Sequence, residues 1–180
     1  DLSDGVLEVG FAAGGDPYVT PSDDDVTSVE WQPREIADVL AALSVFESYL
    51  PVTIRRVAPE AAHFTYIKTE FPSEPGGGTL LGVAETPATE NATGRQNIFI
   101  STANLTDAFG FLNPGALGFE TVIHETGHAL GLAHPHDNGG ESDLMLGVTN
   151  PNETGFLGLN EGVWTMMSYI DGWPGGFGPT

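Results

Sequence analysis

Cysteine and basic residues are the two conspicuous shortages of this 180-residue sequence. It has no cysteine, which excludes a disulfide framework, a thiolate metal site and a cysteine nucleophile. Lysine and arginine number five against 25 aspartates and glutamates, for a formal net charge of −20. Nucleic-acid binding needs a basic footprint, and an anionic membrane surface repels an acidic chain. We therefore expect neither nucleic acid nor membrane among the partners.

Long apolar runs are also missing. No run approaches the roughly 18–20 residues that a membrane-spanning helix needs, and the first ten residues lack the basic and apolar regions of a signal peptide. Hydrophobic residues still make up 40% of the chain, which is typical of a globular protein with a buried core. We expect one monomeric domain over residues 1–180.

The surplus of acid has two interpretations. One is a solubilising surface suited to a salty or calcium-rich exterior. The other is structural Ca²⁺ held by Asp23–Asp25 or by the loop Asp137–Asp143. Neither segment has the spacing of an EF-hand loop, so Ca²⁺ stays an open alternative.

Apolar periodicity predicts the secondary structure. Helical spacing runs from Pro33 to about Leu50, with Pro33 suited to the first turn and Pro51 closing the end. A second helix is predicted from about Ala116 to Leu130, and beyond Gly131 the chain becomes irregular for nearly fifty residues. Strands are predicted at Val6–Ala12, Val52–Val57, His63–Lys68, Thr79–Ala84 and Asn97–Ser101. This order predicts an α/β (α+β) fold, a mixed twisted sheet of about five strands backed by two helices.

The second predicted helix carries the sequence HETGHALGLAHP at 124–135. His124 and His128 lie four residues apart, so both rings project from one helix face and can reach one zinc ion at roughly 2.0–2.1 Å. His134 could not reach the same ion if the helix continued. The helix must therefore end, and Gly131 stands where a left-handed residue is needed.

Three nitrogen ligands leave a fourth position open, which is typical of catalytic zinc and not of closed structural zinc. Glu125, next to the first ligand, is the expected general base for the attacking water. An accidental occurrence of HExxHxxGxxH in a chain of this composition has a chance on the order of four in a hundred thousand, so this helical zinc motif is a specific signal.

These residues resemble the metzincin clan of zinc endopeptidases, and two features resemble its serralysin branch. Pro135 directly follows the third histidine, as in serralysins, where matrixins usually have serine or threonine. The sequence TMMSY at 165–169 is similar to the serralysin Met-turn.

The resemblance implies a secreted zinc endopeptidase acting on proteins or peptides. It assigns Met167 to the methionine beneath the zinc and Tyr169 to the tyrosine that ligates resting zinc and then hydrogen-bonds the tetrahedral intermediate. The predicted strand Thr79–Ala84 resembles the clan's edge strand, which pairs with extended substrate. This implies substrate contacts from Thr79, Leu80, Leu81, Gly82, Val83 and Ala84.

The sequence also departs from the serralysin pattern. Neither the helix after the Met-turn nor the glycine- and aspartate-rich β-roll repeats are present, so we expect a catalytic domain truncated at its C-terminus. Two alternatives stay open, a matrixin-like secreted endopeptidase and a zinc-binding module without catalysis. His63 is expected to be an ordinary half-buried residue, and His136 a residue at the cleft edge.

Overall fold

The structure is a computed structural model that describes residues 4–72, 80–87, 95–105, 112–138 and 142–170. The chain divides into two compact units, Asp1–Leu130 and Gly131–Thr180. In the first unit the elements follow in the order β1 (Val6–Phe11), β2 (Pro17–Val19), β3 (Asp25–Thr27), α1 (Pro33–Glu47), β4 (Thr53–Arg56), β5 (Phe64–Thr69), β6 (Gly82–Ala84), β7 (Gln96–Ser101) and α2 (Leu117–Ala129).

Five strands form one mixed sheet in the order β4-β1-β5-β7-β6. The first four of these are parallel, and β6 runs antiparallel to β7 at the edge. With α1 and α2 packed on each other and on this sheet, the predicted α/β class with five strands and two helices is confirmed.

The sheet is covered on both faces, and all six residues of β5 are buried, as parallel strands require. On one face, Ile67 and Phe99 pack with Ala12 and Val26, so the two-stranded sheet β2-β3 covers this side. On the other face, the Nζ of Lys68 lies 2.7 Å from a carboxylate oxygen of Glu35 in α1. This pairing allows a lysine to be buried in the central strand.

Helix α1 begins as predicted at Pro33, and a capping box joins Gln32 to Glu35, which satisfies backbone donors of the first turn. It ends at Glu47, so the predicted end at Leu50 is wrong by three residues. Leu50 is apolar but 37% exposed, and Pro51 disfavours a helical conformation for the residue before it.

The predicted strand Thr79–Ala84 is longer than the strand found in the structure. Only Gly82–Ala84 is strand, with Leu80 and Leu81 preceding it and Thr79 outside the described residues. The other predicted strands and α2 are confirmed to within one residue at each end. Strands β2 and β3 were missed because each is only three residues long and the turn between them is rich in aspartate.

The second unit is irregular, as predicted. Over residues 131–138 and 142–170, its only helical element is a single 3₁₀ turn, Phe156–Gly158. Leu157 in this turn has a φ of 59°, unusual for a residue with a branched side chain. Across the described parts of both units, no helix combines the length and apolar character needed to cross a membrane.

Candidate metal centre

Helix α2 presents two histidines beside its buried face. Val122 and Thr126 are fully buried, whereas His124 and His128 are half-buried. The two imidazole rings lie with their centroids 4.8 Å apart and their planes at 83°. The predicted placement of both rings on one side of the helix is thus realised.

The helix ends where the motif requires it. Leu130 is the C-cap residue of α2, and Gly131 follows with a φ of 96°. This left-handed conformation carries little penalty for glycine because glycine has no Cβ. The expectation that Gly131 terminates the helix before His134 is confirmed.

One group of three metal-ligating side chains occurs among the described residues, and it consists of His124, His128 and His134. Each offers one ring nitrogen, and these nitrogens lie within 4.8 Å of one another. Imidazole nitrogen suits Zn²⁺, and three nitrogens match the donor count of a catalytic zinc site. The donor set therefore fits one zinc ion.

The calcium expectation gains no support. Neither Asp23–Asp25 nor the described part of the loop Asp137–Asp143 contributes to a group of three potential ligands. Glu141 of that loop is outside the described residues.

Glu125 lies between the two helical histidines in sequence and is only 6% exposed. Burial raises the pKa of this carboxyl group to about 8, because a low-dielectric surrounding disfavours the charged form. A divalent cation on the neighbouring histidines would act in the opposite direction and favour the carboxylate. A metal ion bound there would therefore lower the proton affinity of Glu125.

Two contacts around α2 were not anticipated. The hydroxyl groups of Tyr66 and Thr126 lie 2.8 Å apart, and the side chain of Glu125 lies directly against Gly82 of β6. Both join residues far apart in sequence, and no local pattern encodes them. A glycine inside a β-prone run often indicates that another group approaches closely. This is the one sequence signal that could have indicated the contact at Gly82.

In the second unit, His134, His136 and Tyr169 form a cluster of rings. The His134 ring lies 4.6 Å from that of Tyr169, and 5.1 Å from that of His136 at an interplanar angle of 13°. The Nδ1 atom of His136 is buried without a hydrogen-bond partner among the described residues. The ring of His136 is therefore stacked on that of the third histidine of the motif, and its position at a cleft edge stays a prediction.

Met167 is 3% exposed and lies in a tight turn. The N–H of Ser168 donates to the carbonyl of Thr165 at 3.3 Å, and the N–H of Met167 donates to the Thr165 hydroxyl at 3.2 Å. The segment TMMSY thus forms a turn with a buried methionine. The position of Met167 relative to a metal stays a prediction.

The predicted substrate-binding residues are only partly in a strand. Gly82, Val83 and Ala84 form the sheet edge and pair with β7 alone in the sheet order. The pairing extends by one bond at each end: Ser101 donates its N–H to the carbonyl of Leu81 at 2.9 Å, and Glu85 donates its N–H to the carbonyl of Asn97 at 2.9 Å. The other side of β6 is the side to which an extended peptide would add.

His63 is not part of the metal group. It is half-buried as expected, and its Nδ1 accepts the backbone N–H of Glu8 at 3.0 Å. This contact gives His63 a structural role next to β5.

No family model matches the sequence, and no curated protein matches it. Among solved structures, the chain is similar to the structure of myroilysin, with 20% sequence identity and a TM-score of 0.45. The match covers 73% of this chain and 50% of the myroilysin chain, so this chain spans about half the length of that protein.

Proposed function

We propose that this protein is a secreted zinc-dependent endopeptidase that hydrolyses internal peptide bonds of proteins. The observation that carries the proposal is the group formed by His124, His128 and His134, with Glu125 on the same helix as the first two. Three histidines and an adjacent carboxylate are the donor and base set of zinc peptidases.

In this proposal zinc supplies Lewis acidity, which polarises the scissile carbonyl and lowers the pKa of water to around 7. A carboxylate oxygen of Glu125 accepts the proton of the attacking water and then delivers it to the departing amine. The position of Glu125 next to His124, with its side chain turned toward β6, supports this role.

Tyr169 is proposed as a further ligand of resting zinc and as a hydrogen-bond donor to the oxyanion of the tetrahedral intermediate. Its ring contact with His134 supports a position close to the third ligand. It is also 60% exposed. Met167 is proposed to support the site from below.

Peptide substrate is proposed to lie extended along Thr79–Ala84, of which Thr79 is outside the described residues, and to add a strand to the sheet edge. The edge position of β6 supports this arrangement. We propose that the protein acts as a monomer, without nucleic acid or membrane, in keeping with its net charge of −20.

A zinc-binding module without catalysis is the second candidate. The presence of Glu125 next to the first ligand favours the enzyme, because a site without catalysis needs no general base. A matrixin-like enzyme is the less favoured alternative, since Pro135 and Tyr169 match serralysins better.

Metal analysis of the purified protein, followed by a casein or gelatin assay, separates these candidates. The proposal expects one zinc ion per chain, internal cleavage of the protein substrate, and loss of cleavage on chelation with recovery on adding zinc. Full zinc occupancy without cleavage would favour the non-catalytic module. Recovery of the native protein from the cell interior instead of the medium would contradict secretion.

A further inference from the structure

Gly82 in the edge strand is crowded by one side chain. A Cβ atom placed on Gly82 in ideal geometry would lie 2.7 Å from Cγ of Glu125, 2.9 Å from its Oε1 and 3.0 Å from its Cδ. Real Cβ atoms do not approach other atoms this closely. An alanine at this position and the present Glu125 conformation therefore exclude each other.

The backbone gives no other reason for glycine here. Gly82 does not have the positive φ that marks Gly15 or Gly131, so an L-residue could adopt its conformation. Glycine in a strand is otherwise unfavourable, because it loses more conformational entropy on folding than other residues. What glycine provides at position 82 is space for the side chain of Glu125, because it has no Cβ.

The atoms that an added Cβ would meet belong to a flexible side chain and not to backbone. The low-cost response to Gly82→Ala is therefore rotation of Glu125 away from β6, with the fold retained. Gly10 is the contrasting case, since a Cβ there would lie 2.6 Å from Cα of Pro59. Substitution at Gly10 must displace the main chain.

We propose that Gly82 is a positioning residue, because the absence of a Cβ there allows the carboxylate of Glu125 to lie against the edge strand. The inference rests on the proposed function, because it assigns the direction from which Glu125 acts as base. In that function β6 also binds substrate, so one strand would hold both the peptide and the base. A misplacement of about 1 Å in such a group can cost on the order of 10²-fold in rate.

The kinetic experiment compares Gly82→Ala with wild type and with Gly10→Ala, all loaded with zinc. We expect Gly82→Ala to keep one zinc ion per chain and a KM within about threefold of wild type, while kcat falls about 10²-fold. Gly10→Ala is expected to melt at a lower temperature and to keep the kcat of its folded fraction. A kcat for Gly82→Ala within threefold of wild type, or a change in KM alone, would overturn the inference.

A second experiment needs no activity. The urea midpoint is measured for zinc-free wild type, Gly82→Ala, Glu125→Ala and the double variant. Gly82→Ala should lower the midpoint when Glu125 is present, and leave it unchanged or raise it when residue 125 is alanine. Equal effects in the two backgrounds would show that the two residues do not compete for space and would overturn the inference.

The two experiments separate the inference from the function on which it rests. Zinc-loaded wild type without peptide hydrolysis would overturn the proposed function. Hydrolysis by wild type together with an unimpaired Gly82→Ala variant would overturn only the role of Gly82.

Discussion

The hydroxyl group of Tyr66, in the central strand β5, donates a hydrogen bond to the hydroxyl oxygen of Thr126 in α2. The two oxygens lie 2.8 Å apart, and the single hydroxyl proton of Thr126 goes to the carbonyl of Val122 at 2.6 Å, so Tyr66 must be the donor. Both residues are fully buried. The bond joins the middle of the sheet to the helix that carries His124 and His128.

Thr126→Val is expected to destabilise the protein more than Tyr66→Phe. The valine leaves the buried tyrosine hydroxyl without an acceptor, at about 1–3 kcal/mol, whereas the phenylalanine removes the donor and costs nearer 0.5–1.5 kcal/mol. The double variant should recover part of the loss. Urea denaturation measures all three, with the exposed Thr53→Val expected within about 0.5 kcal/mol of wild type as control. Strict additivity would contradict a direct bond between the two hydroxyls.

Glu125→Ala is expected to keep zinc and the fold while hydrolysis falls by about 10²–10⁴-fold, the usual contribution of a general base. Zinc content and peptide turnover are measured on the same preparation, with the exposed Glu60→Ala as control. Activity within tenfold of wild type at full zinc occupancy would rule out Glu125 as the base.

Tyr169→Phe is expected to retain zinc and to lower kcat by about 10²–10³-fold with little change in KM, because an oxyanion donor acts only in the transition state. Steady-state kinetics with a peptide substrate measures this. Tyr49→Phe, at an 82% exposed position, should have no effect. If KM alone changed, Tyr169 would be a substrate-binding residue.

Gly131→Ala is expected to weaken zinc binding. An L-residue held at a φ of 96° is strained by roughly 1–2 kcal/mol, and relaxation of that strain would shift His134. Zinc affinity should fall about 5- to 30-fold if the strain is relieved in the metal-free state. Gly15→Ala is the matched control, because Gly15 has a φ of 95° and open space around it. It should reduce stability without changing zinc affinity.

Octapeptides should be hydrolysed much faster than dipeptides if substrate adds a strand to β6. Backbone pairing needs several residues on each side of the cleaved bond, and it discriminates poorly between side chains. The ratio kcat/KM across peptides of increasing length measures this. Dipeptide turnover as efficient as that of octapeptides would argue against strand addition.

The local parts of the fold and of the metal centre could be predicted from sequence. His124, His128 and Gly131 act through helix geometry within two turns, so their spacing carries the information. The end of α1 could not be predicted from spacing alone. The apolar residue Leu50 continues the helical spacing, whereas Pro51 disfavours a helical conformation at Leu50. The contact of Gly82 with Glu125 and the bond of Tyr66 to Thr126 could not be predicted, because each depends on how the sheet brings distant segments together.

The pairing of β1 also determines when the sheet can form during synthesis. Val6 pairs with Thr53 and Val9 pairs with Phe64, so β1 lies between two strands that the ribosome makes later. Translation proceeds at about 5–20 residues per second. The apolar residues Leu7 and Val9 are therefore without both neighbouring strands for several seconds after they are synthesised. The chain loses conformational entropy when these long loops close, before strand pairing stabilises the sheet. Parallel sheets characteristically fold slowly for this reason. A nascent chain that stops before β5 therefore has an incomplete sheet, with β1 still at its edge.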